Sequence, residues 1–156
     1  MAIQIGQKTP DFTLFNTEKN KVSISDYQGK NVVLLFFPLA FTGVCTNELC
    51  DVRDHMHIYN SLNAEIIGIS VDSLFVLGKF KSENNLDFTL LSDFNKVTSR
   101  DYDCLYDTFS YDMLGVSKRS AFVIDREGIV QYAEVLEKAG DLPDFTAIQE
   151  CLKQLN

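Results

Sequence analysis

Apolar positions change period repeatedly along this chain, and each change marks an element. Asn31 to Phe37 is a continuous apolar run carrying Val32 and Val33, the pattern of a central strand buried on both faces. Glu65 to Val71 repeats that pattern and is closed by Asp72-Ser73. Between the two runs Cys45, Leu49, Val52, Met56 and Tyr59 recur at spacings of four and three, which predicts a helix over residues 45–62 with one apolar stripe. Thr42 stands where that helix needs a cap, with Glu and Asp following near its N-terminal end.

The weaker segments follow the same logic. Residues 9–15 alternate enough to be a short strand after a turn, and Val22 to Tyr27 is a short segment closing in a turn at Gly29-Lys30. Residues 73–84 read as a second helix, with Leu74, Leu77, Phe80 and Lys81 packing or flanking. Asp87 to Leu91 reads as a short strand and residues 96–103 as helical. Ser120 to Ile124 and Ile129 to Val135, joined by Asp125-Arg126-Glu127-Gly128, predict a hairpin. From Pro143 the chain is helical again, with Phe145, Ile148, Leu152 and Leu155 as its stripe. Alternating strands and helices followed by a hairpin predict an α/β fold, a mixed central sheet with helices on both faces. That is a thioredoxin-like plan, with Cys45 where the first long helix begins. No repeat or linker interrupts residues 1–156, so a single domain is expected.

Charge and cysteine usage narrow the function. A formal net charge of -8 and a pI of about 4.6 argue against nucleic acid or an anionic membrane as partner, because both need a basic face. The longest apolar run, Val32 to Phe41, is 10 residues and contains Pro38, about half of a membrane span. The N-terminus lacks the basic start and long apolar core of a secretory signal, so a cytoplasmic location is expected. In that setting Cys45, Cys50, Cys104 and Cys151 read as catalytic or inert thiols and not as structural bridges. His55 and His57 are two apart, whereas zinc sites prefer paired cysteines or i, i+4 histidines. No metal and no cofactor is expected.

A free thiol is mostly protonated at neutral pH, and a helix N-terminus or a nearby cation favours the thiolate. Cys45 falls in the first turn of the predicted helix. Thr42, three residues earlier, can set a hydroxyl beside the sulfur or beside a bound substrate oxygen. Pro38 fixes the backbone at the strand exit, has no N–H to donate and can shield the sulfur from water. On spacing alone, Cys45 reads either as such a reactive thiol or as a buried member of the stripe.

Pro38-x3-Thr42-x2-Cys45 resembles the PxxxTxxC signature of the peroxiredoxins. The strings FFPLAFTGVC, LSDFNKV and KRSAFVIDREGIVQYAEV resemble the same family in the same order, over nearly the whole chain. The resemblance implies a thiol-dependent peroxidase. Cys45 would be the peroxidatic cysteine, attacking the terminal oxygen of a hydroperoxide and becoming a sulfenic acid. Thr42 would hydrogen-bond the peroxide and the sulfur. Arg119 would be the family arginine that favours the thiolate and stabilises charge developing between the two oxygens. Lys118 is the neighbouring rival, but position before the FVID strand favours Arg119. Backbone N–H groups near Val44 and Cys45 would add donors. Glu48 matches a position often acidic in the family; it either orients the arginine or is a first-turn acid favouring the helix dipole.

Cys50, five residues after Cys45, resembles the resolving cysteine of the Q-type (bacterioferritin comigratory protein-like) peroxiredoxins. FPLAFTGVC and AFVIDREGIV look closer to the alkyl hydroperoxide reductase E type, whose members often work with one essential cysteine. Five helical residues turn by about 140° and rise about 7.5 Å, while a disulfide needs Cα atoms within roughly 4.4–6.8 Å. Cys45 and Cys50 can therefore bond only if the first helical turn unwinds. Otherwise Cys50 is a bystander off the stripe. Cys104, beside Asp101 and Asp103, sits in an acidic setting that disfavours its thiolate, and Cys151 flanks the last helix's stripe. The resemblance also implies a thioredoxin-like or glutaredoxin-like reductant and a monomer or homodimer. A redox-sensing or relay protein on the same scaffold is the alternative. A disulfide oxidoreductase is disfavoured, because no C-x-x-C motif occurs.

Overall fold

The computed structural model describes residues 2–156. In chain order come β1 (Thr13–Asn16), β2 (Lys21–Ser23), β3 (Asn31–Phe36), α1 (Gly43–Asp54), α2 (Met56–Ser61), β4 (Ala64–Ser70), α3 (Leu74–Glu83), β5 (Thr89–Ser92), α4 (Val97–Asp101), β6 (Leu105–Thr108), β7 (Leu114–Ser117), β8 (Ser120–Ile124), β9 (Val130–Val135) and α5 (Phe145–Leu155). Seven strands form one mixed sheet of order β2-β1-β5-β4-β3-β8-β9, and β6 pairs with β7 separately. β3, β4 and β5 are parallel, while β1 and β8 run antiparallel to their neighbours.

The unbroken apolar run of β3 follows from its place inside the sheet. Val33, Leu35 and Phe37 enter a core shared with Leu49 and Val52 of α1, Tyr59 of α2, Leu77 and Phe80 of α3, and Ile148 and Leu152 of α5. Val32, Leu34 and Phe36 enter the core on the opposite face. The two faces are covered unequally. The second carries the short α4, whose capping residue Tyr102 packs tilted against Phe36 and edge-on against Phe122, together with Phe12 and Ile24 of the N-terminal segment.

Three details differ from the sequence reading. The helix expected over 45–62 begins at Gly43 and breaks at His55. His55 Nδ1 lies 2.8 Å from the Asp51 carbonyl oxygen, the acceptor its own N–H would use in a continuous helix; that N–H turns to the Val52 carbonyl instead. Thr42 does hold the N-cap position, but its side chain does not cap: the hydroxyl donates to the Leu39 carbonyl at 2.7 Å. The first turn of α1 also contains no acid, and Glu48 lies beyond it. Finally, β6 and β7 were not anticipated, because the segment between Cys104 and Ser117 is short and mostly exposed or half-exposed, with its apolar residues in no regular alternation.

Candidate active site

β3 ends at Phe36, and the Phe37 N–H extends its ladder to the Ile69 carbonyl. The chain then leaves the sheet through Pro38 and reverses into α1. Phe41 completes the reversal with φ 68, the left-handed region that costs a side-chain-bearing residue of order 1 kcal/mol. Its ring packs edge-on against Phe80 at 5.2 Å. The loop is pinned a second time by Asp72, whose Oδ2 accepts from the Ala40 N–H at 2.8 Å and from the Ser70 hydroxyl at 2.6 Å. Burial raises the Asp72 carboxyl above its ordinary range against the pull of these donors.

This loop sets Cys45 in the first turn of α1, with the sulfur buried. The Thr46 N–H closes the turn on the Thr42 carbonyl at 2.9 Å, so the N–H groups of Gly43, Val44 and Cys45 have no intrahelical acceptor. Arg119 reaches the site from the connection between β7 and β8. Its Nη2 donates to Cys45 Sγ at 3.2 Å and to the Ala139 carbonyl at 3.0 Å, and its Nη1 donates to Glu48 Oε1 at 2.7 Å. Arg119 is 1% exposed and Glu48 0%. Desolvation works against the Arg119 charge, but Glu48 and Cys45 together outweigh it and hold the guanidinium firmly protonated. Burial pushes the Glu48 carboxyl the other way, up to about 7, against the attraction of Arg119. Pro38, Thr42, Cys45 and Arg119 line one cleft of about 210 Å³, closed by Phe109 and by Ala139-Gly140.

Residues 5–133 match the AhpC/TSA family. The chain belongs to the AhpC/TSA family. It is 43% identical to the peroxiredoxin Bcp of Bacillus subtilis over 130 residues, covering 82% of each chain. It is 35% identical to alkyl hydroperoxide reductase E of Mycobacterium bovis over 145 residues, covering 91% of each. Among solved structures, peroxidoxin BcpB of Mycobacterium tuberculosis superposes with a TM-score of 0.87 at 26% identity, over 99% of both chains. The chain is thus a peroxiredoxin of thioredoxin-like fold, and a thiol peroxidase.

The other candidate side chains lie outside the lining of this cleft. Lys118 turns away from it, with its ammonium on Glu137 Oε1 at 2.9 Å and over the Tyr106 ring. Cys50 shares the continuous α1 with Cys45, and all four cysteines are free thiols. Cys104 is buried in the second core, and burial, more than its acidic neighbours, pushes its thiol up to about 12. Cys151 is half-buried beside the Gln131 carbonyl, and burial raises it too. His55 and His57 stack at 6.4 Å, and no cluster of three metal-ligating side chains occurs among the described residues. No helix among them is long and apolar enough to cross a membrane. Sequence reasoning missed Asp72 and Phe109. Asp72 follows a strand where an acid is routine, and its partner Ala40 is 32 residues away; Phe109 carries no periodic signal at all.

Proposed function

We propose that Cys45 is the peroxidatic cysteine and that Thr42, Pro38 and Arg119 complete its site. The observation that carries the reading is the buried guanidinium bridging Cys45 Sγ at 3.2 Å and Glu48 Oε1 at 2.7 Å. A cation held against a sulfur favours the thiolate. The thiolate attacks the terminal oxygen of a hydroperoxide, an S–O bond forms, and the O–O bond breaks. The leaving oxygen takes up a proton and departs as water or an alcohol, with Cys45 oxidised to the sulfenic acid. The Thr42 hydroxyl gives its proton to Leu39, so its lone pairs accept a hydrogen bond from the peroxide O–H. Arg119 and the first-turn N–H groups stabilise the charge developing on the departing oxygen. Glu48 fixes the guanidinium plane, and buried Pro38 keeps water from the sulfur.

Cys50 resolves the sulfenic acid to an intramolecular disulfide, which a thioredoxin-like or glutaredoxin-like protein reduces. Organic hydroperoxides are accepted beside hydrogen peroxide, since the cleft wall includes Pro38, Val44 and Phe109. Residues 1–156 act as one domain, as a monomer or homodimer in the cytoplasm. A mere binding module would gain nothing from a buried guanidinium against a sulfur.

Intact-mass spectrometry after one equivalent of peroxide, without reductant, tests the assignment. Loss of two hydrogens is expected, and gain of one oxygen would mean that Cys50 does not resolve. An unchanged mass would sink the peroxidatic role of Cys45. Cys45→Ser should consume no peroxide, whereas Cys50→Ser should retain a single turnover.

A further inference from the structure

α1 is fastened to the end of α3 through one residue that the peroxidase chemistry has not used. Asn84 caps α3, and its Nδ2 donates to the Phe80 carbonyl at 3.0 Å. That bond turns Oδ1 toward α1, where it accepts from the Cys50 thiol at 3.7 Å. The Asn84 carbonyl accepts from Arg53 Nη1 at 2.6 Å. Cys50 and Arg53 are three residues apart and share one face of α1. Cys45 faces elsewhere, into the core and toward Arg119.

We propose that Asn84 is a positioning residue for the resolution step: it holds the Cys50 sulfur against α3 and away from Cys45, and so sets the lifetime of the sulfenic acid. This rests on the reading of Cys50 as the resolving cysteine. In that step the Cys50 sulfur attacks the Cys45 sulfur, an S–S bond forms and the S–O bond breaks. The hydroxyl leaves with the thiol proton as water; Cys50 is oxidised and the sulfenic sulfur reduced. The Cys50 sulfur must quit the Asn84 oxygen to reach its target, because the two cysteines stand about 140° apart on an intact helix. The contacts to Asn84 thus exist before the step and are lost during it, so they stabilise the waiting state. A longer wait exposes the sulfenic acid to a second peroxide and the sulfinic acid.

The test uses the full-length reduced protein, hydrogen peroxide and rapid-quench intact-mass analysis. In Asn84→Ala the interval between sulfenic acid and disulfide should shorten about 3- to 10-fold, the worth of roughly one hydrogen bond. Sulfinic acid at excess peroxide should fall with it. The rate constant for sulfenic acid formation should not change, and the interval should shorten more than in a variant of equal urea midpoint altered away from α1 and α3, a difference that general loss of stability would not produce. Arg53→Gln, which breaks only the second tie, should shorten the interval less, and it serves if Asn84→Ala does not fold. An unchanged or longer interval in the folded variants, with the wild type still closing its disulfide, overturns the role of Asn84. A wild type that never forms the Cys45–Cys50 disulfide overturns the resolving role of Cys50, and this proposal with it.

Discussion

Glu48→Gln puts a sign and a size on the buried ion pair behind Cys45. Glu48 is fully buried, with Oε1 on Arg119 at 2.7 Å and Oε2 without a hydrogen-bond partner among the described residues. A carboxylate with one oxygen unsatisfied in the core is poorly compensated for its lost water. That is why burial outweighs the guanidinium and raises the carboxyl from 4.5 to about 7. At about 1.4 kcal/mol per tenfold change in proton affinity, the rise corresponds to about 3 kcal/mol. The folded state holds this proton more tightly than the unfolded chain does. The contribution of Glu48 to stability is therefore whole below pH 4.5 and is lost as the pH climbs through about 7. Glutamine has the shape of the protonated acid and cannot titrate. The two proteins should match closely in acid, and the unfolding free energy of the variant minus that of the wild type should then rise by about 3 kcal/mol toward pH ~8. Urea melts of the reduced proteins across that range, followed by far-ultraviolet circular dichroism because the chain has no tryptophan, give the difference directly. A difference that stays flat, or falls with pH, would refute the reasoning: the attraction between Glu48 and Arg119 would then exceed the cost of burying them.

Replacing Arg119 with methionine removes the donor at Cys45 and should lower the second-order rate with peroxide about 100-fold in stopped flow. Arg119→Lys should recover little, because one ammonium cannot reproduce the planar fork that spans Glu48, Cys45 and Ala139. Asp72→Ala leaves the Ala40 N–H without its acceptor and should cost about 1–3 kcal/mol in a denaturant melt, with a slower peroxide reaction as the loop loses its peg. Cys104→Ala should leave peroxide consumption unchanged, and thiol labelling of the native wild type should miss Cys104 until the protein unfolds, since burial holds it at about 12.

The sheet was legible because its central strands are buried on both faces, and only continuous apolar runs such as those of β3 and β4 survive there. The first helix was legible for its stripe but not for its end. Periodicity continues through Met56 and Tyr59, yet a single ring nitrogen at the Asp51 carbonyl breaks the backbone ladder at His55. No hydrophobic pattern records such a local competition. The pair β6 and β7 was lost for the opposite reason: its side chains are mostly exposed or half-exposed until Gly115, so burial impressed no alternation on it.

The site shows a sharper divide, between residues linked by local spacing and residues linked by the fold. Pro38, Thr42 and Cys45 lie within one loop and one helical turn, so their spacing already places them together. Arg119 is 74 residues from Cys45, and nothing in periodicity joins them; family resemblance alone singled it out over Lys118. Once the strands are assembled the choice has a physical basis, because the two neighbours point to opposite sides and only one meets a buried carboxylate. Glu48 was ambiguous in the same way: as a first-turn acid it would have faced solvent and the helix dipole, but the helix starts at Gly43, so Glu48 lies beyond the first turn, three residues after Cys45 and four before Val52 on the buried face. Asp72 and Asn84 had no such marker. Each acts through backbone atoms or a thiol more than thirty residues away, and an acid after a strand or an amide after a helix is ordinary punctuation. What distinguishes them is the partner each meets in the assembled fold, the Ala40 N–H for one and the Cys50 thiol for the other.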